Sequence, residues 1–365
     1  ILSVCVGANR GWLPAHVRYY MFSVSLLIVI PKLVGCFFLL TEDVFRIGSG
    51  LISILDNEQT TFLPERRKFV SSAALITASI PFASMLYGMA RTGFNIRLRK
   101  ASIAFDELPP AFDGLRIIQI SDLHSGSFVD EKFFEEAVSK INDLQPDLVF
   151  FTGDLVNNEA VEAERFVPTF RKLQAKYGVY SILGNHDYGA YGPWSSDEDK
   201  QNNFQRLINI HSDSGWKLLA NENEVITSGN DKLAIVGVEN WGAARHFPKR
   251  GDLNQAVKNI ENVDFKILLS HDPSHWDAHV QDHDQKFQLT LSGHTHGAQF
   301  GIEIPGFRWS PAQYAYKQWA GLYEGKGGQK LYVNRGLGFI GYMGRIGIPP
   351  EITLLELKSS ENSLT

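Results

Sequence analysis

The segment Val179-Tyr180-Ser181-Ile182-Leu183-Gly184-Asn185-His186-Asp187 joins an apolar run to a loop that offers an amide oxygen, an imidazole and two turn-forming residues beside a carboxylate. The run reads as a buried strand, and a loop at the carboxyl end of a strand is where an α/β domain keeps its chemistry. Taken alone the loop says little, since Gly-Asn is an ordinary turn pair and His-Asp is common on surfaces. Four more segments repeat the pattern: Ser121-Asp122-Leu123-His124, Thr152-Gly153-Asp154, Ser270-His271-Asp272 and Gly293-His294-Thr295-His296-Gly297 each follow an apolar, β-branched run. Packing alone does not place metal-type ligands at five strand ends.

Working outward, Leu115 to Ile120 reads as a core strand, and Asp130 starts a helix whose Phe133, Phe134, Ala137, Val138 and Ile141 fall at helical spacing. Asp147 to Phe151 is a short strand, and a second helix is expected from about Ala160 to Ala175. This alternation predicts a parallel βαβαβ sheet. Beyond a helix from Asp199 to about Ser212, short strand candidates at Trp216–Ala220, Glu224–Thr227 and Lys232–Val238 crowd together, which predicts a second, more antiparallel sheet. Phe265–Leu269, Phe287–Leu291, Leu331–Val333 and Glu351–Leu357 complete the strands.

The chain has 365 residues, 44% of them apolar, enough for one large domain and an appendage. Its net charge of -5 is unevenly spread: residues 1–100 carry 11 Lys/Arg against 5 Asp/Glu, leaving 24 against 35 in residues 101–365. The acidic part lacks a basic patch with interleaved aromatics, so nucleic acid is not an expected partner. The two cysteines, Cys5 and Cys36, both fall outside it, so its metal ligands must be oxygen and imidazole. The first residue is Ile rather than Met, which reads as a chain whose start lies upstream.

Residues 1–100 read as a membrane-anchor region, and 101–365 as the catalytic domain. From about 19 to 40 the sequence is apolar except for Lys32, beside Pro31, and is long enough to span a bilayer at ~20 residues. A kinked span, a re-entrant pair and a buried helix hairpin are all open readings. A second apolar run, about 73 to 90, follows Arg66-Arg67-Lys68-Phe69-Val70, which reads equally as a twin-arginine export signal or as the basic flank of a membrane helix. The first of these puts the acidic domain on the extracytoplasmic side, although Arg91, Arg97, Arg99 and Lys100 after the run weaken the charge bias.

The five blocks, in this order and at these intervals, resemble the calcineurin-like metallophosphoesterase superfamily over about Leu108 to Lys358. The preceding spans and the Pro350-Glu351-Ile352-Thr353 end resemble its bacterial membrane-anchored branch. That branch holds twin-arginine exported phosphodiesterases and a UDP-diacylglucosamine pyrophosphatase of lipid A synthesis. The resemblance implies a four-layer α/β sandwich of two mixed β-sheets flanked by helices, preceded by membrane helices in the cell envelope. It implies two divalent cations, Mn²⁺ first and Fe, Zn or Co next, with Asp154 bridging them. Asp122, His124 and His296 complete one site, and Asn185, His271 and His294 the other. His186 is then a catalytic histidine with Asp187 orienting its ring, and the reaction is attack on a phosphodiester or pyrophosphate by a water the metals activate. The substrate class is a phosphorylated small molecule or a lipid-linked one. A protein or broad-specificity envelope phosphatase, and a non-catalytic membrane scaffold, are the rival readings.

Four further features carry expectations. Arg335 and Arg345 could meet a substrate phosphate or form a structural ion pair, and Gly336 to Gly347 reads as a flexible loop over the site. His275, His279 and His283 would stripe one helix, read as a solvated face before a second metal site. The aromatics from Phe300 to Tyr323, with Trp309 and Trp319 among them, suit either an apolar cap on a lipid-linked substrate or a hairpin packed on the second sheet.

Overall fold

The computed structural model describes residues 15–55 and 64–360; Ile1 and Cys5, on which readings above rest, lie outside them. Helix α1 (Ala15–Leu55) runs unbroken through Pro31, so the first span is one long helix and not a re-entrant pair. Helix α2 (Pro64–Ala90) contains the second apolar run and packs against α1, with Gly35 facing Ala78. The most apolar stretch of α1 has none of its residues buried, and that of α2 few. Leu33, Phe37, Val44, Leu51 and Leu75 all face outward.

The rest of the described chain forms two sheets. Strands β1 (Arg97–Phe105), β2 (Arg116–Ile120), β3 (Leu148–Phe151), β4 (Val179–Ser181) and β5 (Lys217–Leu218) belong to the first, in which a last strand inserts between β1 and β2. The second sheet holds β6 (Glu222–Ser228), β7 (Asp231–Gly237), β8 (Phe265–Leu269) and β9 (Leu289–Ser292). After a separate hairpin of β10 (Ile302–Ile304) and β11 (Phe307–Trp309), β12 (Gly321–Glu324) and β13 (Lys330–Val333) complete the second sheet, and β14 (Glu351–Ser359) returns to the first.

Alternation along the strands builds the layers. Ile117, Leu148 and Phe150 point between the sheets and meet Leu233, Ile235, Phe265, Ile267, Leu289 and Leu291. Their neighbours Ile118, Ile120, Val149 and Phe151 point outward onto helix α3 (Lys132–Asp143) through Phe134, Ala137 and Ile141. On the other side Val236, Leu268 and Val333 are covered by Leu253, Val257, Trp276 and Val280. The expected sandwich of two mixed sheets flanked by helices is therefore present.

The second sheet is the more antiparallel of the two, though only at its edges: β7, β8, β9 and β13 run parallel, with antiparallel partners β6 and β12 outside them, whereas the first sheet has the single antiparallel pair β14 and β2. Two local expectations change. The helix expected from Ala160 to Ala175 is two short turns, Val161–Glu164 and Val167–Phe170, because Pro168 has no N–H to continue the first and starts the second. Arg97, Arg99 and Lys100, read as the flank of a span, lie in β1, which pairs with β14 over its whole length.

Candidate metal centre

Strands β2, β3 and β4 are parallel neighbours in one sheet, and β8 and β9 in the other, so all five carboxyl ends open toward one edge of the sandwich. The loops that leave them interlock through backbone contacts. A Cβ at Gly184 would lie 2.2 Å from Asp154 Oδ1, and one at Gly293 would lie 2.4 Å from Asp122 Oδ2, so glycine is needed at both. The N–H of His294 donates to both oxygens of Asp122, at 3.0 and 3.1 Å, and that of His186 to Asp154 Oδ1 at 2.9 Å. Asp122 (φ 52°), His124 (φ 43°), Asp154 (φ 59°), His294 (φ 71°) and His296 (φ 51°) all adopt the left-handed conformation. Such residues persist where the surroundings over-determine them, and they concentrate at functional sites.

The side chains converge in two groups, Asp122 with His124 and His296, and Asp154 with His271 and His294. In the first, His124 Nε2 lies 3.0 Å from His296 Nε2, which is 3.3 Å from Asp122 Oδ1. In the second, His271 Nε2 lies 3.2 Å from both His294 Nδ1 and Asp154 Oδ2. Asp154 Oδ2 is also 3.7 Å from His124 Nε2, so this one carboxylate faces both groups. Asn185, 1% exposed, has its Oδ1 buried with no hydrogen-bond partner. Lone pairs gathered at these distances with an orphaned amide oxygen fit divalent cations, and the absence of thiolate suits borderline metals.

Electrostatics divide these side chains. Burial would raise both carboxyls, but His296 holds Asp122, and His271 holds Asp154, well below the usual carboxylate range. Burial keeps His124 well below the ordinary imidazole value and brings His294 down to about 4, leaving both neutral. His271 goes the other way: burial is outweighed by Asp154 and Asp122, which push it up to about 10. Its Nδ1 sits 2.7 Å from the Thr152 carbonyl and so carries a hydrogen, which turns Nε2 toward the centre.

His186 is half-buried, as is His294, and lines a cavity beside the centre. Its ring stands edge-on to His124 with centroids 5.0 Å apart and packs on Tyr191 at 4.7 Å. Asp187 does not orient that ring. Its carboxylate accepts from the N–H groups of Gly184, Asp154 and Leu155 at 2.8 to 2.9 Å, and His186 Nδ1 donates instead to the Asn157 carbonyl at 2.8 Å. Asp187 therefore holds two ligand loops together, and burial followed by the charge of Asp154 pushes its carboxyl up.

The arginine expectation also changes. Arg335 is buried and binds Glu351 at 2.6 Å and Glu303 at 2.7 Å, with Arg99 joining both carboxylates. Arg345, fully buried, donates to the carbonyls of Gly338 and Arg335, and its Nη2 lies 3.3 Å from His296 Nδ1. Neither head has a free face for a substrate phosphate. The loop from Gly336 to Gly347 is packed and not a flexible cover: Leu337 and Gly338 donate to Ser121 and Asp122 at 2.8 Å, and Leu337, Phe339 and Met343 are buried. Its far side binds the helix pair, with Met343 N donating to Ser23 Oγ at 2.8 Å and Tyr342 to the Met85 carbonyl.

The histidine stripe is solvated in part: His279 is exposed and His283 half-buried, whereas His275 is buried, faces Ser270 Oγ at 2.9 Å and stacks on Trp241, which forms an edge contact with His279. In the aromatic segment Trp319 is 4% exposed and belongs to a small core with Ile348, while β10 and β11 stand apart as a two-stranded hairpin with Ile302, Ile304 and Phe307 about half exposed. Tyr316, counted above only as an aromatic, brings its hydroxyl 2.7 Å from His294 Nε2. Asp272 Oδ2 lies 3.5 Å from the same nitrogen, and Tyr191 accepts from Asn185 Nδ2 at 3.1 Å. The Asp272 position follows from the Ser-His-Asp block, whereas nothing in the sequence around Tyr191 marks it.

Residues 115–298 match the family described as Calcineurin-like phosphoesterase, and residues 1–93 match one described as Probable Calcineurin-like phosphoesterase, transmembrane domain. A metallophosphoesterase of Bacillus subtilis, YkuE, is 30% identical over 81% of this chain and 98% of its own length. A zebrafish transmembrane protein with a metallophosphoesterase domain is 28% identical over 79% of this chain, which spans 62% of it. The UDP-2,3-diacylglucosamine pyrophosphatase LpxG of Chlamydia trachomatis is 30% identical over 66% of this chain and 83% of its own. Among solved structures, Haemophilus influenzae NAD nucleotidase aligns over 63% of this chain and 45% of its own, at 17% identity and a TM-score of 0.40. The relatives thus include both bacterial and vertebrate proteins. The chain belongs to the calcineurin-like phosphoesterases, metal-dependent hydrolases, and carries their transmembrane domain at its N-terminal end.

Proposed function

We propose that this chain hydrolyses a phosphodiester or pyrophosphate bond at a dinuclear centre in which Asp154 is shared by two divalent cations, Mn²⁺ being the preferred ion. Asp122, His124 and His296 would hold one cation, and Asn185, His271 and His294 the other. The observation that carries this reading is the position of Asp154 Oδ2, within 3.7 Å of a histidine from each group. When bound, such a pair supplies Lewis-acid polarisation of the phosphoryl oxygens and activation of water.

The chain's own residues do the rest. Because Nδ1 of His186 is committed to the Asn157 carbonyl, its Nε2 is left to hydrogen-bond a phosphoryl oxygen or to give a proton to the leaving oxygen. Asp187 fixes the spacing between the loops of Asp154 and Asn185. Tyr316 and Asp272 hold His294 from its outer side. The name of LpxG, a pyrophosphatase acting on UDP-2,3-diacylglucosamine, supports a lipid-linked phosphorylated substrate.

Full-length protein, stripped of metal and reloaded with Mn²⁺, would be assayed on a chromogenic phosphodiester, the corresponding monoester and UDP-2,3-diacylglucosamine. Asp154→Ala is expected to reduce turnover by at least ~10³-fold and to lower the bound metal below two ions per chain. Full activity in that variant would overturn the shared-carboxylate reading. A preference for the monoester would favour a phosphatase.

A further inference from the structure

Where the helix pair meets the catalytic domain there is a cleft of about 640 Å³, within the ~300–1,000 Å³ range of small-molecule sites. Leu26 and Ile30 of α1 and Ile80 and Met85 of α2 form one wall, Ile340 and Ile346 form the other, and His296 closes the end nearest the metal centre. Both helix pairs of residues are about one turn apart, so the cleft follows the helix axes. Arg18 marks the domain end of α1 and Ile30 lies twelve residues along it, a depth of about 18 Å. That is comparable with half of a ~30 Å hydrocarbon core. Ile80, 62% exposed, leaves the cleft open at its rim, beside the outward-facing apolar side chains Leu75 and Ile76 of the same helix.

A second cavity, of about 380 Å³, lies across Ile340 from the first, since Ile340 lines both. Its wall is mixed where the first is almost wholly apolar: Arg18, Asn158, Glu159 and His186 line it beside Met21, Phe22 and Pro193. The metal centre thus has an apolar cleft beside the helices at His296 and, at His186, a mixed cavity that carries the charged and polar groups Arg18, Asn158 and Glu159. A water-soluble substrate would have no use for the first of these. A molecule with a hydrocarbon tail, a phosphoester and a polar head fits the sequence of surfaces in order.

We propose that the substrate is a membrane amphiphile whose acyl chain lies in the cleft between the helix pair and the loop at Ile340, entering sideways from the bilayer, while its polar head occupies the cavity at Arg18 and His186. This deepens the phosphoester-hydrolase reading and rests on it. In the reaction a water oxygen forms the new bond to phosphorus, the bond from phosphorus to the leaving oxygen breaks, and that oxygen takes a proton. The acylated fragment and the head leave as separate products. The membrane helices are then part of the substrate site and not only an anchor. Phe300, at the edge of the cleft, leads into the hairpin whose half-exposed Ile302, Ile304 and Phe307 extend the apolar surface beside it.

The test uses full-length, metal-stripped protein in phosphatidylcholine vesicles containing phosphatidylglycerol with a diazirine on its acyl chain. Photolabel is expected on residues 26–30, 80–85 and 340–346, and Ser84→Phe, which fills the cleft, should reduce it at least about tenfold at those sites while label on Leu51 and Ile54 stays. Leu26→Trp repeats the test from the other helix should Ser84→Phe lower the unfolding midpoint. Label confined to the outward helix faces, or label in the cleft that neither variant reduces, overturns the proposal. A parallel assay of the metal-loaded, unaltered protein on the small chromogenic diester separates the two readings. Absence of turnover there and on UDP-2,3-diacylglucosamine as well defeats the hydrolase reading, while the labelling pattern still decides whether the cleft takes acyl chains.

Discussion

His186 and Arg345 each stand against a metal-type ligand, one beside His124 and the other beside His296, yet the molecule treats them in opposite ways. His186 has one ring nitrogen committed to a carbonyl and an edge open to a cavity. Arg345 has its guanidinium spent on backbone carbonyls in a fully buried pocket, where burial lowers its pKa to about 9. Nearness to the centre therefore does not make a residue part of the chemistry. What decides is whether its polar head has a free direction, and the same contrast separates the wall around Arg335 from the cavity around His186.

The comparison breaks most visibly at His186. His186→Ala is expected to lower turnover by roughly 10²–10⁴-fold with metal content and unfolding midpoint unchanged. A change below threefold would remove His186 from the reaction. The opposite pattern is expected for Arg335→Ala, which leaves Glu351 buried with Arg99 as its remaining cation partner. Stripping one partner from a buried ion pair costs about 3 kcal/mol or more, so the denaturant midpoint should fall. The rate per folded molecule should stay within a few-fold of the unaltered protein. A large rate loss without a stability loss would restore Arg335 as a substrate contact.

The smallest effect concerns the loop behind His186. Glu162 accepts from the N–H groups of Asn157 and Glu159, and its carboxylate is pressed against Gly126. Burial pushes it up to about 7. An acid whose pKa is raised on folding binds more protons in the native state, so stability is highest below its unfolded value near 4.5 and declines as pH rises toward 7. Glu162 is half-buried, and solvent screening limits its contribution to about 2 kcal/mol. Glu162→Gln should flatten this decline between pH 5 and 7.5 in thermal unfolding. An unchanged slope would mean that another group is responsible.

Much of the fold can be read from apolar runs bounded by turns. Phe265–Leu269 was expected and is β8 over the same residues, and β2, β3 and β4 fall where the runs before Asp122, Asp154 and Asn185 put them. The five ligand blocks are readable for the same reason, because a strand end is a local feature. Strand β1 was not, since Arg97, Arg99 and Lys100 look like a membrane flank until pairing with β14 and the carboxylates Glu303 and Glu351 give them partners.

By itself the sequence determined which residues could bind cations and which segments are apolar enough to enter a membrane, because both depend on side-chain chemistry and short-range spacing. Only the tertiary structure decided which polar heads stay free. Asp187 turns to backbone N–H groups and not to His186, Arg335 and Arg345 turn inward, and α1 and α2 are set against the loop at Ile340 so that a cleft forms. Each of these outcomes depends on partners that the chain brings together only on folding. Burial makes a satisfied polar group stay where its hydrogen bonds are, and that cannot be read until the partners are in place.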